Sequence, residues 1–162
     1  MKTLIIGLGN PILGDDGVGW VVAEQVKAVL ADRLSSVVNG ASIEVDCASL
    51  GGLSLMERLT GSERVILIDS IFTGRKDVGS LSQFTLRELP DLTGGHSASA
   101  HDTSLRNALN VGRSMHIELP EDENVIIIAI EAEAVYDFSQ ELSPAVAEAV
   151  PIAVKVVLDL VA

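Results

Sequence analysis

The 162-residue chain is predicted to be an α/β protein: a three-layer sandwich with a central, mostly parallel five-stranded sheet and helices on both faces. Three observations predict it. Short β-branched runs alternate along the chain with longer segments of helical period. Several of the strand-like runs are apolar throughout, as strands covered on both faces are. The first of them passes through a Gly- and Asp-rich turn into an amphipathic segment, as a β–α unit begins.

Thr3–Leu8 reads as the buried first strand, followed by the turn Gly9-Asn10-Pro11 and a loop carrying Gly14-Asp15-Asp16-Gly17. A helix is expected from about Asp16 to Leu34, because Val18, Val21, Val22, Val26, Val29 and Leu30 recur at three- and four-residue spacings while Glu24, Gln25, Lys27 and Asp32 take other faces. Ser42–Cys47 alternates as a second strand, Leu53–Leu59 suggests a short helix, and Arg64–Asp69 is a third, strongly apolar strand that closes on a carboxylate. Ser80–Leu86 is a weaker strand. Asp91–His101 reads as a Gly/Ser/His-rich loop, Asp102–Arg113 as a helix, and Asn124–Ile130 as another buried strand. Ser143-Pro144 supplies an N-cap and a first-turn proline for a closing helix to about Leu160, within which Pro151 implies a kink or a late start. Neither a repeat nor a linker interrupts the chain, so residues 1–162 are expected to form one domain.

Composition narrows the function mainly by exclusion. Hydrophobic residues make up 48% of the chain, yet none of its apolar runs approaches the roughly 18–20 residues of a membrane helix. Eleven basic against 23 acidic residues give a net charge of −12, the wrong sign for neutralising phosphates, so nucleic acid is not expected as a partner. Aromatics at 3% also leave little for base stacking. The single cysteine, Cys47, excludes an intramolecular disulfide and an all-cysteine metal site. The opening Met1-Lys2-Thr3-Leu4-Ile5-Ile6-Gly7 lacks the long apolar stretch of a secretory signal, and a cytoplasmic location is expected.

Ligands of open α/β sheets bind beyond the carboxyl ends of the strands, so polar residues there are the candidates for chemistry. They are Asn10, Asp15 and Asp16 after the first strand, Asp69 at the end of the third, and His96 and His101 before the Asp102 helix. Two carboxylates and an imidazole suit a first-row transition metal such as zinc or nickel, with open positions for water or substrate. Each candidate has a structural alternative. Asp15 or Asp16 would serve as a helix cap, although capping does not need two acids; His96, His101 and His116 would simply decorate loops. Asp69 follows four apolar strand residues and therefore needs a partner or a crevice. Cys47 reads as a small buried hydrophobe rather than a nucleophile. Gly7-Leu8-Gly9-Asn10-Pro11-Ile12 starts like a dinucleotide fingerprint, but Ile12 stands where the third glycine belongs and the acids that follow would repel a pyrophosphate.

Taken together, Leu4-Ile5-Ile6-Gly7-Leu8-Gly9-Asn10 and Gly14-Asp15-Asp16-Gly17-Val18-Gly19 resemble the N-terminal signature of the hydrogenase maturation proteases. Ile66-Leu67-Ile68-Asp69-Ser70, Ser99-Ala100-His101-Asp102 and Leu142-Ser143-Pro144-Ala145-Val146 are similar to later segments of that family, so the resemblance spans nearly the whole chain. It implies an endopeptidase, of aspartic or metal-dependent type, that removes a C-terminal extension from the large-subunit precursor of a nickel–iron hydrogenase once nickel is in place. It further implies that Asp16, Asp69 and His101 are catalytic and contact nickel presented by the precursor, so that the protease needs no permanent metal of its own. Asp46 matches the start of the family's Asp-Gly-Gly-Thr segment, which is associated with choosing the precursor, but Cys47-Ala48-Ser49 departs from it, leaving open which hydrogenase is processed. Gly7-Leu8-Gly9-Asn10-Pro11 also resembles the start of peptidyl-tRNA hydrolases. Their following Thr-Arg-His-Asn stretch is absent, and no histidine precedes His96. A non-enzymatic metal-binding module using the same crevice is the third reading.

Overall fold

A computed structural model describes residues 1–33, 41–89, 100–133 and 138–162, the side chains of residues 100–104 excepted. Five strands, β1 (Lys2–Leu8), β2 (Ser42–Ala48), β3 (Arg64–Ile71), β4 (Leu81–Thr85) and β5 (Val125–Glu131), form one sheet in the order β2-β1-β3-β5-β4. β1, β2, β3 and β5 are parallel, and β4 runs antiparallel to β5 along one edge. The expected mostly parallel α/β sandwich is therefore the fold.

Side-chain alternation along the strands builds two cores. On one face Ile5, Ile66, Ile68, Ile128 and Ile130 pack against α1 (Val18–Arg33) and α4 (Pro144–Val161). On the other, Leu4, Ile6, Val65, Leu67 and Ile127 pack against α2 (Gly52–Leu59) and α3 (Ala100–Ser114). β1, β3 and β5 bury both faces, which is why they read as continuous apolar runs rather than alternating ones.

Several boundaries differ from the sequence reading for local reasons. Gly14–Gly17 forms a 3₁₀ turn, and α1 proper starts at Val18. β3 continues two residues past Asp69, because Ser70 and Ile71 pair with Ile130 and Glu131 of β5; Asp69 lies within the ladder rather than at its end. α3 begins at Ala100, placing the backbone of His101 in its first turn and not in the preceding loop. It ends in a Schellman-type turn at His116 (φ 61°), where the Ile117 N–H reaches the Gly112 carbonyl at 3.0 Å, so His116 terminates a helix. α4 starts at Pro144 and continues through Pro151; the proline removes one hydrogen bond without delaying the start. His96 and the rest of the Asp91–Ser99 segment lie outside the described residues.

β1 leads to β2 on one side of itself, while β3 lies on the other, so the direction of winding reverses between β1 and β3. Such a switch point opens a crevice at the carboxyl ends of the two strands. Here it is shaped by close backbone approach. A Cβ on Gly19, in the first turn of α1, would stand 2.3 Å from the Ile68 carbonyl oxygen and 2.4 Å from that of Leu8. Only hydrogen fits. Gly19→Ala is therefore expected to lower the unfolding free energy by about 2 kcal/mol or more, read as a fall in the urea midpoint at unchanged slope. A wild-type midpoint would show that α1 does not need this approach.

Candidate functional site

The turn after β1 places two neighbouring acids in different environments. Asp15 is buried, with 1% of its surface exposed. Its Oδ1 accepts the Ser143 N–H at 2.7 Å, and its Oδ2 accepts the Ser143 hydroxyl at 2.8 Å and the Glu133 N–H at 3.3 Å. Ser143 is the N-cap of α4, but its hydroxyl is turned to Asp15 instead of capping that helix. Asp15 is thus a structural clamp between the first turn and α4. It does not cap the helix that follows it, which was one expectation for the pair.

Asp16 is half-buried. Its Oδ2 accepts the Asn10 N–H at 2.8 Å and its Oδ1 the Ser70 hydroxyl at 3.3 Å. Gly9, at φ 122°, makes this possible: any Cβ there would lie 1.9 Å from the Asp16 carbonyl oxygen. Asp69, 2% exposed, accepts the Ser70 N–H through Oδ1 at 2.8 Å. Ser70 therefore touches both candidate carboxylates, one through its hydroxyl and one through its amide. The serine stood in the Asp69 segment of the sequence without an assigned role, because a hydroxyl adjoining a strand carboxylate carries no signal until its partner is known.

By strand alternation Asp69 lies on the face of Leu67 and Ile71, the face covered by α2 and α3. The backbone of His101 is in the first turn of α3. Its imidazole lies outside the described residues. Among the described residues no three His, Cys, Asp or Glu side chains form a metal-holding group. The two carboxylates offer hard oxygen donors, and an imidazole joining them would give a set suited to a borderline divalent ion.

Beside the crevice, Asp46 lies within β2 rather than in the loop after it. Burial pushes its pKa up, but the Arg58 guanidinium and the Cys47 N–H outweigh that and hold the carboxyl below its usual range. Arg58 of α2 donates to Asp46 Oδ2 at 2.7 Å and to Glu44 Oε1 at 2.7 Å, tying the edge strand to the helix. Burial, with Glu24 and Asp46 nearby, pushes the Cys47 thiol up to about 11. A thiol that stays protonated is a poor nucleophile, in line with its reading as a small hydrophobe.

The sequence model for the family described as hydrogenase maturation protease, HycI, matches residues 43–160. The hydrogenase expression/formation protein HupD of Thiocapsa roseopersicina is 23% identical over 161 residues, covering 99% of this chain and 68% of that protein. Among solved structures, the [NiFe] hydrogenase maturation protease HybD from Thermococcus kodakarensis superposes with a TM-score of 0.70 at 23% identity, covering 99% of both chains. The hydrogenase maturating endopeptidase HybD from Escherichia coli gives a TM-score of 0.73 at 21% identity, covering 99% of this chain and 91% of that one. At these identities the structures establish a shared fold.

Two outcomes separate the roles assigned above. Asp15→Ala should cost about 2–4 kcal/mol in urea unfolding, since it removes a buried carboxylate that accepts three hydrogen bonds, whereas Asp16→Ala should cost about 1 kcal/mol or less. Equal costs would remove the distinction. Alkylation of Cys47 by iodoacetamide at pH 8 should run roughly a hundredfold slower than that of a free cysteine, rising only as pH approaches 11. A rate near that of free cysteine would contradict the protonated thiol.

Proposed function

The chain belongs to the hydrogenase maturation protease family, and from that premise we propose that it is the endopeptidase that cleaves the C-terminal extension from the nickel-loaded large-subunit precursor of a nickel–iron hydrogenase. The observation that carries the reading is the meeting of Asp16 and Asp69 on Ser70, at the switch point between β1 and β3. A turn after one strand and the interior of another deliver their carboxylates to one residue, in the place where this sheet topology leaves room for a ligand.

In this proposal nickel arrives as part of the substrate, already ligated by the precursor. Asp16 and Asp69, with His101 from the first turn of α3, complete its coordination. Recognition then depends on the loaded state of the precursor, because only that state offers an ion with positions to fill. The Asn10 N–H and the Ser70 hydroxyl hold the Asp16 carboxylate in one orientation, so its oxygens reach the ion without reordering. An ion so held would polarise the carbonyl of the bond to be cleaved or acidify a water beside it.

The reading as a peptidyl-tRNA hydrolase falls with the family assignment, and the net charge of −12 also opposes a tRNA partner. A metal-binding module without activity differs from the proposal in one respect, proteolysis. No helix among the described residues is long and apolar enough to cross a membrane, and the proposed place of action is the cytoplasm, where the precursor would be assembled.

Asp16→Asn, Asp69→Asn and His101→Ala should each lower the rate of precursor processing by on the order of a hundredfold or more, while Asp16→Asn and His101→Ala keep wild-type thermal unfolding. The rate is followed by the mass of the large subunit. Wild-type processing by any of the three would remove that residue from the site.

A further inference from the structure

A second buried carboxylate at the same edge has no part in the chemistry above. Glu131, the last residue of β5, is 1% exposed. Its Oε1 accepts the N–H groups of Thr73 and Gly74, each at 3.1 Å, and the Thr73 hydroxyl donates to the same oxygen. Burying a carboxylate costs free energy unless donors surround it, and here the donors all come from the loop that follows β3. The residue just before Phe72 is also fixed, since the Ala132 N–H reaches the Ile71 carbonyl at 2.8 Å. Phe72 thus sits between two anchored neighbours, three residues beyond Asp69, yet its side chain is 62% exposed.

A large apolar side chain on a pinned loop, displayed to solvent, contributes little to folding. Its surroundings give it another use. Of the nine large hydrophobic residues exposed among the described residues, five lie in segments that follow parallel strands at their carboxyl ends: Ile12 after β1, Leu50 and Leu53 after β2, Phe72 after β3 and Phe138 after β5. This is the edge that holds Asp16 and Asp69. Apolar surface concentrated around polar site residues marks a contact for an apolar partner.

We infer that Phe72 is a substrate-binding residue that takes an apolar side chain of the polypeptide next to the bond to be cleaved, and that Glu131 is its positioning residue. The inference rests on the peptidase reading above and adds to it a preference for apolar sequence beside the scissile bond. Phe72 gains by leaving water when the substrate seats, and Glu131 keeps the loop from having to be ordered at that moment.

The test is steady-state processing of the nickel-loaded large-subunit precursor from the same organism. Phe72→Ala should raise KM roughly ten- to a hundredfold with the loss falling in KM rather than kcat, and Phe72→Leu should restore most of it. Glu131→Gln should raise KM in the same way. Should that variant fail to fold, Thr73→Val, which removes the hydroxyl donor, reads the same parameter. Met115→Ala, equally apolar and exposed but beyond the end of α3, should match wild type. A wild-type KM for Phe72→Ala overturns the inference and leaves the peptidase reading standing. A wild-type protein that leaves the precursor uncut overturns the peptidase reading and the inference with it.

Discussion

The rest of the structure depends on how closely the turn after β1 can approach the sheet. Gly7 and Gly19 meet where a Cβ on Gly7 would stand 2.2 Å from the Gly19 carbonyl oxygen, and Gly19 in turn rests on the carbonyls of Leu8 and Ile68. With α1 seated this deeply, the 3₁₀ turn Gly14–Gly17 lies over the ends of β1 and β3. Asp16 then reaches Ser70. A side chain at any of these contacts would lift the turn, and the carboxylate would face water instead of the crevice. The candidate site is thus a consequence of a packing constraint between backbone segments.

The same edge concentrates three buried carboxylates, each resolved differently. Asp15 spends its oxygens on Ser143 and Glu133 and so ties the turn to α4. Glu131 is enclosed by the loop after β3. Asp69 accepts the amide of Ser70, whose hydroxyl donates to Asp16. Two of the three hold loops in place around the third. A rigid surround suits the proposed role of completing the coordination of an ion brought by the substrate, because geometry fixed in advance lowers the ordering cost on association.

The layered architecture was legible from the apolar runs, because strands buried on both faces must be apolar on both. The strand ends were less so. Arg64–Asp69 stops reading as a strand at its carboxylate, yet the ladder continues, since Ser70 and Ile71 have backbone partners on β5 that hydropathy does not register. Asp16 and Asp69 were legible as candidates because acids at strand ends need a reason. The division between Asp15 and Asp16 was not, because the partner that defines Asp15 is Ser143, 128 residues away. Glu131 was hidden for a like reason: its partners, Thr73 and Gly74, are distant in sequence and polar only through a hydroxyl and backbone amides. His116, one of three histidines, resolved to a helix terminus through a positive φ that its neighbours in sequence do not announce.

The central claim is that the crevice carboxylates read an ion carried by the substrate. It is tested most directly by mixing the purified protein with nickel-loaded and nickel-free forms of the same large-subunit precursor and following the subunit by mass spectrometry. Loss of the C-terminal extension from the nickel-loaded form alone is the predicted result. Equal cleavage of both forms, or cleavage of neither, would contradict it.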